Sequence, residues 1–212
     1  MHPPDQPLPS GVASHDGRAT PVNNGNAIVR LRAFAELLLR WNGTLNLIAP
    51  KDTAVVWERH IEDSLQLAPL IPAGVERAVD LGSGGGFPGL VLAIATGVRF
   101  DLIESDRRKS SFLRTAILET GAPATVHACR IEHARLPPAP LVTARALAPL
   151  GRLLPLAAPL LAAGGTCLLL KGAKAAEEVA EARADWKMAV DAIPSRTHDG
   201  GVILRITDLK SI

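Results

Sequence analysis

Tyrosine is absent from this chain, and Phe and Trp bring the aromatic share to only 3%. Proteins that read single-stranded nucleic acid by stacking bases on aromatic platforms need more than that, so this class is disfavoured. Cysteine is nearly as scarce. Cys129 and Cys167 form no CxxC pair and have no histidine cluster beside them, so neither a zinc site nor a disulfide framework is expected, and a reducing compartment fits. An excess of one charge is lacking too: 23 basic against 21 acidic residues leave a formal net charge of +2. That balance permits an RNA partner without arguing for one. The apolar core of a signal peptide is missing from the first residues. Leu153 to Leu170 is a run of 18 residues without a charge, the length of a membrane span, but Pro155, Pro159 and the Gly164-Gly165 pair interrupt it. It reads as an apolar helix, a turn and a buried strand.

What is present is organisation. With 212 residues, 47% of them hydrophobic, the chain can bury a sizeable core. Residues 1–25 carry five prolines among polar residues and read as a tail too poor in apolar surface to order itself. From residue 26 to 72 the spacing predicts a helical extension. Ile28, Leu31, Phe34, Ala35, Leu38 and Leu39 recur at helical intervals, and a second amphipathic helix is expected from Asp52, as N-cap, to Leu70. From 73 to 212 the chain alternates. Strands are expected at 77–82, 98–105, 124–129, 141–146 and 165–172, with helices at 88–96, 106–119, 150–163 and 173–186. This rhythm implies an α/β fold with a mainly parallel sheet covered on both faces. The last two apolar runs flank Thr197 to Gly201 with no helix between them, so an antiparallel pair should close the sheet. No internal repeat is visible.

Between the first strand and its helix lies "DLGSGGGFPG", residues 80–89. In doubly wound sheets this turn faces the ligand crevice. Gly84, Gly86 and Gly89 satisfy the dinucleotide pattern G-x-G-x-x-G, with Glu104 about 20 residues on, where a ribose-binding acid belongs. The charge at position 80 argues against a dinucleotide. A pyrophosphate favours bare N–H groups at a helix N-terminus, and Asp80 would add a negative charge beside it. S-adenosylmethionine presents an ammonium and a sulfonium instead. The spacing Asp80, Gly82, Gly84, Gly86 therefore points to S-adenosylmethionine, with Glu104 accepting hydrogen bonds from both ribose hydroxyls.

The reaction type is narrowed by what is missing. Amino-methylation of a base typically uses an Asn/Asp-Pro-Pro-aromatic segment after the fourth strand, and Ala144-Arg145-Ala146-Leu147 stands there. Carbon-5 methylation of pyrimidines needs a cysteine nucleophile, and Cys167 lies in an expected core strand. A substrate nitrogen with its own lone pair, such as purine N7, needs neither a base nor a covalent intermediate. Candidate substrate-side residues are Arg145 at the end of the fourth strand, and His60 and Asp63 on one face of "RHIEDS". An ion pair for Arg145 and a hydrogen-bonded helix pair for His60 and Asp63 or Ser64 are the plainer alternatives. Lys171 and the Arg107–Lys109 run are weaker candidates, the run being equally readable as a solvated helix face. No metal site is expected.

Taken together, "LLLRWNGTLNLIA" (37–49), "RHIEDSL" (59–65), "VDLGSGGGFPGL" (79–90), "IESDRRKSSFL" (103–113), "ARALAPL" (144–150) and "LLLKG" (168–172) resemble the bacterial 16S ribosomal RNA guanine-N7 methyltransferases, the glucose-inhibited division protein B family. The resemblance runs from about Leu31 to the C-terminus. It implies an S-adenosylmethionine-dependent Rossmann-like domain behind an N-terminal helical extension. It further implies cofactor contacts at Gly82, Phe87, Ile131, Glu132 and Arg145, and 16S rRNA or a small ribosomal subunit particle as partner. A cytoplasmic monomer without membrane association is the corresponding expectation. A small-molecule methyltransferase, or a non-catalytic rRNA-binding assembly factor on the same fold, is the alternative.

Overall fold

The computed structural model describes residues 25–212. The segment read as a tail lies outside the described residues except for Gly25, which opens the first helix. That helix, α1, runs Gly25–Leu45. It buries Leu31, Phe34, Leu37 and Leu38, as the apolar spacing requires. A parallel core follows: β1 (Arg77–Leu81), α3 (Gly89–Thr96), β2 (Arg99–Ile103), α4 (Arg107–Thr120), β3 (Ala124–His127), β4 (Ala139–Arg145), α5 (Leu150–Ala157), β5 (Leu161–Lys171) and α6 (Ala175–Ala182). The chain then ends in β6 (Trp186–Pro194) and β7 (Val202–Ser211). Strand order is β3-β2-β1-β4-β5-β7-β6, with β1 to β5 parallel. Strand β7 runs antiparallel to both β5 and β6, so the closing pair takes the arrangement expected of it.

The two faces of the sheet bury separate apolar clusters. One joins α1, α3 and α4 to Phe100, Leu102 and Leu168. The other joins α5 and α6 to Val79, Leu81, Val142 and Cys167. Cys167 is wholly buried and burial pushes its thiol up to about 12, so it is a core residue with no nucleophilic role. Helices α1 and α4 pack around Phe34, Trp41 and Phe112 and cap each other. Arg30 donates to the carbonyls of Thr120 (2.5 Å) and Gly121 (2.8 Å) at the end of α4. Arg108 donates to Thr44 O (2.7 Å) at the end of α1. Cations at helix C-termini satisfy orphan carbonyls and oppose the helix dipole. Arg108 is thus engaged within the fold, while Arg107 stands exposed.

Three helical expectations differ. The single helix from Asp52 to Leu70 is replaced by a 3-10 segment Pro50–Val55, a π-helical turn Trp57–Glu62, a short α2 (Asp63–Leu65) and a 3-10 turn Ala68–Leu70. Asp52 sits inside the first segment and caps nothing. The carbonyl of Arg59, inside the π turn, accepts from Arg145 Nη1 (3.2 Å). Helix α5 stops at Ala157, and a 3-10 turn containing Pro159 leads into β5 at Leu161, because proline cannot donate to a continuing helix. Helix α6 ends at Ala182, and Trp186 begins β6.

Candidate functional site

Parallel register brings the carboxyl ends of β1, β2, β4 and β5 to one edge of the sheet. The glycine loop leaves β1 there. Its Ser83 N–H donates to Ile103 O (3.0 Å) and its Ser83 carbonyl accepts from Gly86 and Phe87, which folds the loop back over the strand ends. Gly82 turns the chain off the strand beneath Leu147, and Gly86 packs on Phe34 and Leu90. Gly84 has φ +52°, and a Cβ there would have only the Gly82 carbonyl, 3.7 Å away, as a neighbour. That space above a bare backbone is where a ligand can approach.

Glu104, at the end of β2, is nearly buried and clasps this loop. One carboxylate oxygen accepts from Gly84 N–H (2.8 Å) and the other from Asp106 N–H (2.7 Å). Each oxygen has two acceptor sites, so one remains on each for a ribose diol. Ile131 and Glu132 occupy a 3-10 turn just after β3. Ile131 is half-buried and Glu132 exposed, and β3 itself is tied to Glu104 by its N–H donating to His127 O (3.1 Å).

Asp80 lies elsewhere than a carboxylate offered openly to a cation. It is completely buried beneath the loop. Its Oδ1 accepts from Thr143 Oγ1 (2.6 Å), and its Oδ2 has no side-chain partner. A Cβ on Gly89 would meet the Asp80 side chain at 2.5–2.8 Å, so α3 can start this close to β1 only with glycine there. Burial raises the Asp80 pKa to about 6, with the hydrogen bond from Thr143 opposing the rise. Its charge is therefore felt from below, through the loop. Thr143 was not read from the sequence; the pairing of Asp80 with Thr143 across β1 and β4 is what brings it there, and its one signal was a hydroxyl inside an apolar strand.

The second half of the site is built around Arg145, at the end of β4. Its Nη2 lies 2.8 Å from His60 Nδ1, and its Nη1 donates to Asp63 Oδ2 (3.3 Å). Its guanidinium sits 4.7 Å over the Phe87 ring, a cation–π contact. The Phe87 ring also stacks on His60 at 4.9 Å. So Phe87 reaches from the glycine loop to the helical turns, rather than lying along the loop's open side. Burial, then the positive charge of Arg145, lower the His60 pKa to about 4. The ring is therefore neutral at pH 7, and since Nδ1 accepts from Arg145, Nε2 carries the proton. Nε2 faces Asp52 at 3.4 Å. Arg145 has its own pKa lowered by burial, against the pull of Asp63, yet a guanidinium stays charged in proteins.

A cavity of about 340 Å³ opens beside this group, lined by His60, Asp63, Arg145, Lys171, Thr197 and His198 among others. None of Gly82, Gly84, Gly86, Glu104, Ile131 and Glu132 lines it. Lys171 is held there by Glu178 (2.5 Å) and the carbonyl of Ala148 (2.8 Å). Gln66, Ser195 and Thr197 were not singled out in the sequence: Gln66 falls one residue past "RHIEDSL", and the loop of Ser195 and Thr197 carries no motif.

A mainly parallel seven-stranded sheet with one reversed strand, β7, inserted between β5 and β6, a glycine loop after β1 and an acid closing β2 define the class of S-adenosylmethionine-dependent methyltransferases. Solved structures agree on the fold. The O-methyltransferase from Bacillus cereus in complex with SAH superposes with a TM-score of 0.58 at 14% identity, covering 83% of this chain and 91% of that one. Cofactor-bound Rv0187 from MTB gives 0.56 at 15% identity, covering 89% and 92%. The model of the family "rRNA small subunit methyltransferase G" matches residues 27–199. Ribosomal RNA small subunit methyltransferase G of Gluconobacter oxydans is 58% identical over 183 residues, 86% of this chain and 94% of that protein. Its namesake in Rhodospirillum centenum is 51% identical over 203 residues, 96% and 94% respectively. This chain belongs to the rRNA small subunit methyltransferase G family. It is an S-adenosylmethionine-dependent methyltransferase. Among the described residues no helix is long and apolar enough to cross a membrane.

Proposed function

We propose that this protein transfers a methyl group to N7 of a guanine in 16S rRNA, acting in the cytoplasm as a monomer on the small ribosomal subunit or its RNA. The observation that carries this reading is the Arg145 array. One guanidinium joins the glycine loop through Phe87 and the helical turns through His60 and Asp63, at the rim of a cavity. Residues 26–72 then serve as a substrate-side extension of the methyltransferase domain that follows.

S-adenosylmethionine supplies an electrophilic methyl on a sulfonium, and Glu104, Gly82, Gly84, Ile131 and Glu132 would hold it. Asp80 favours a cation above the loop from its buried position, with Gly86 and Phe87 shaping the turn. Guanine N7 has a free lone pair and carries no proton, so the chain needs no general base. Neutral His60, with Nδ1 committed to Arg145, matches that requirement. Arg145 and Asp63 orient the base, and the walls of the cavity exclude water, so positioning supplies the rate.

Tritiated-methyl transfer to small subunits and to deproteinised 16S rRNA, followed by nucleoside mapping, tests this. Label is expected in N7-methylguanosine. Transfer only to small molecules, or RNA binding without turnover, would replace this reading with one of its alternatives.

A further inference from the structure

The hairpin tip between β6 and β7 forms one wall of the cavity, and one buried side chain grips it. Gln66, on the helical turns just after Asp63, is only 4% exposed. Its Oε1 accepts from Arg196 N–H (2.6 Å). Its Nε2 lies 3.1 Å from Ser195 Oγ and 2.9 Å from Thr197 Oγ1. Three consecutive residues of the tip are therefore bonded to one carboxamide. Within itself the tip is closed by Ser195 N–H on Gly201 O and Gly201 N–H on His198 O (both 2.9 Å), and its His198 Nδ1 lies 3.2 Å from Arg59 Nη1.

Thr197 carries the connection further. While accepting from Gln66, its hydroxyl donates to Asp63 Oδ1 (2.7 Å), and the other oxygen of Asp63 accepts from Arg145. The chain Gln66, Thr197, Asp63, Arg145, His60 is thus continuous, and Gln66 Nε2 also approaches Asp63 Oδ1 directly, at 3.2 Å. A Thr hydroxyl has one proton to give. With Gln66 donating to it, that proton goes to Asp63, whose orientation then sets the guanidinium.

We propose that Gln66 is a positioning residue. Its carboxamide fixes the Ser195–Thr197 tip as the substrate-side wall and, through Thr197 and Asp63, holds Arg145 and the His60 ring in place. This rests on the reading of Arg145 and His60 as substrate-side groups and adds the device that aligns them.

The test compares Gln66→Met, which keeps the length and loses the amide, with Thr197→Val, which keeps the shape and loses the hydroxyl. For methyl transfer to small subunits, each variant is expected to lower kcat by about tenfold or more. The dissociation constant for S-adenosylmethionine should stay within about twofold, and the loss in the double variant should fall well short of the product of the two single losses. Independently of activity, the ¹⁵N signals of the His60 ring should move in both variants, and amide exchange at 195–201 should quicken. If Gln66→Met does not fold, Thr197→Val alone decides. Multiplying effects in the double variant, or loss of stability with kcat and the His60 signals unchanged, would overturn the proposal. Should the wild-type protein bind S-adenosylmethionine yet methylate no RNA, the functional reading fails, and the His60 and exchange measurements still judge Gln66.

Discussion

Arg145 Nη2 and His60 Nδ1 are 2.8 Å apart, across 85 residues of sequence. A guanidinium only donates, so this contact fixes which imidazole nitrogen is bare. It leaves His60 unavailable as a base through Nδ1.

Arg145→Lys should show what the fork contributes. A lysine has one charged head and cannot reach His60, Asp63 and the Arg59 carbonyl together. We expect about a hundredfold loss in kcat/KM for RNA methylation, with binding of S-adenosylmethionine changed far less. Wild-type turnover by the lysine variant would show that charge alone suffices.

Glu104→Gln addresses the cofactor clasp. The amide keeps one acceptor for Gly84 N–H or Asp106 N–H and loses the charge that strengthens bonds to a diol. Calorimetry with S-adenosylmethionine should give a dissociation constant higher by roughly tenfold to a hundredfold. An unchanged constant would remove Glu104 from the cofactor site.

Asp80 and His60 oppose each other in the acid stability of the fold. The Asp80 pKa is raised to about 6, so its contribution is complete below its ordinary value near 3.8 and is lost as pH rises through 6. The His60 pKa is depressed from 6.5 to about 4, so its contribution is present above 6.5 and is lost as pH falls toward 4. Urea unfolding between pH 4 and 6.5 should separate them. Relative to wild type, Asp80→Asn should gain stability as pH rises through this window, while His60→Gln should lose it. Parallel pH curves for wild type and either variant would contradict that assignment.

Gly84→Ala and Gly89→Ala separate backbone strain from close packing. At Gly84 the new methyl meets open space, so only the left-handed backbone costs, about 1 kcal/mol. At Gly89 the methyl runs into the buried Asp80 carboxylate, and overpacking should cost about 3 kcal/mol. Denaturant midpoints give both numbers, and equal effects would mean the α3 start can yield.

Much was written locally. Apolar periods placed α1 and the five parallel strands, and "DLGSGGGFPG" located the glycine loop, because glycine content and strand-to-helix switching are properties of neighbouring residues. "RHIEDS" marked His60 and Asp63, and the end of an apolar strand marked Arg145. What these groups do to one another was not readable. A carboxylate at position 80 looks the same in sequence whether it faces a cation or lies buried under Gly89. The π turn at Trp57–Glu62 leaves no mark in apolar spacing, and the Arg59 carbonyl within it meets an arginine far along the chain.

The sequence by itself determined the order of helices and strands, the parallel core and the place of the glycine loop, all set by short-range periodicity and turn chemistry. The tertiary structure alone decided that Asp80 acts from inside the protein, that Phe87 bridges loop and helical turns, and that Gln66 grips the β6–β7 tip. Those outcomes depend on strand register and on the packing of segments distant in sequence. Directional hydrogen bonds and desolvation act between whichever atoms folding brings together, and nothing in a linear pattern specifies those partners.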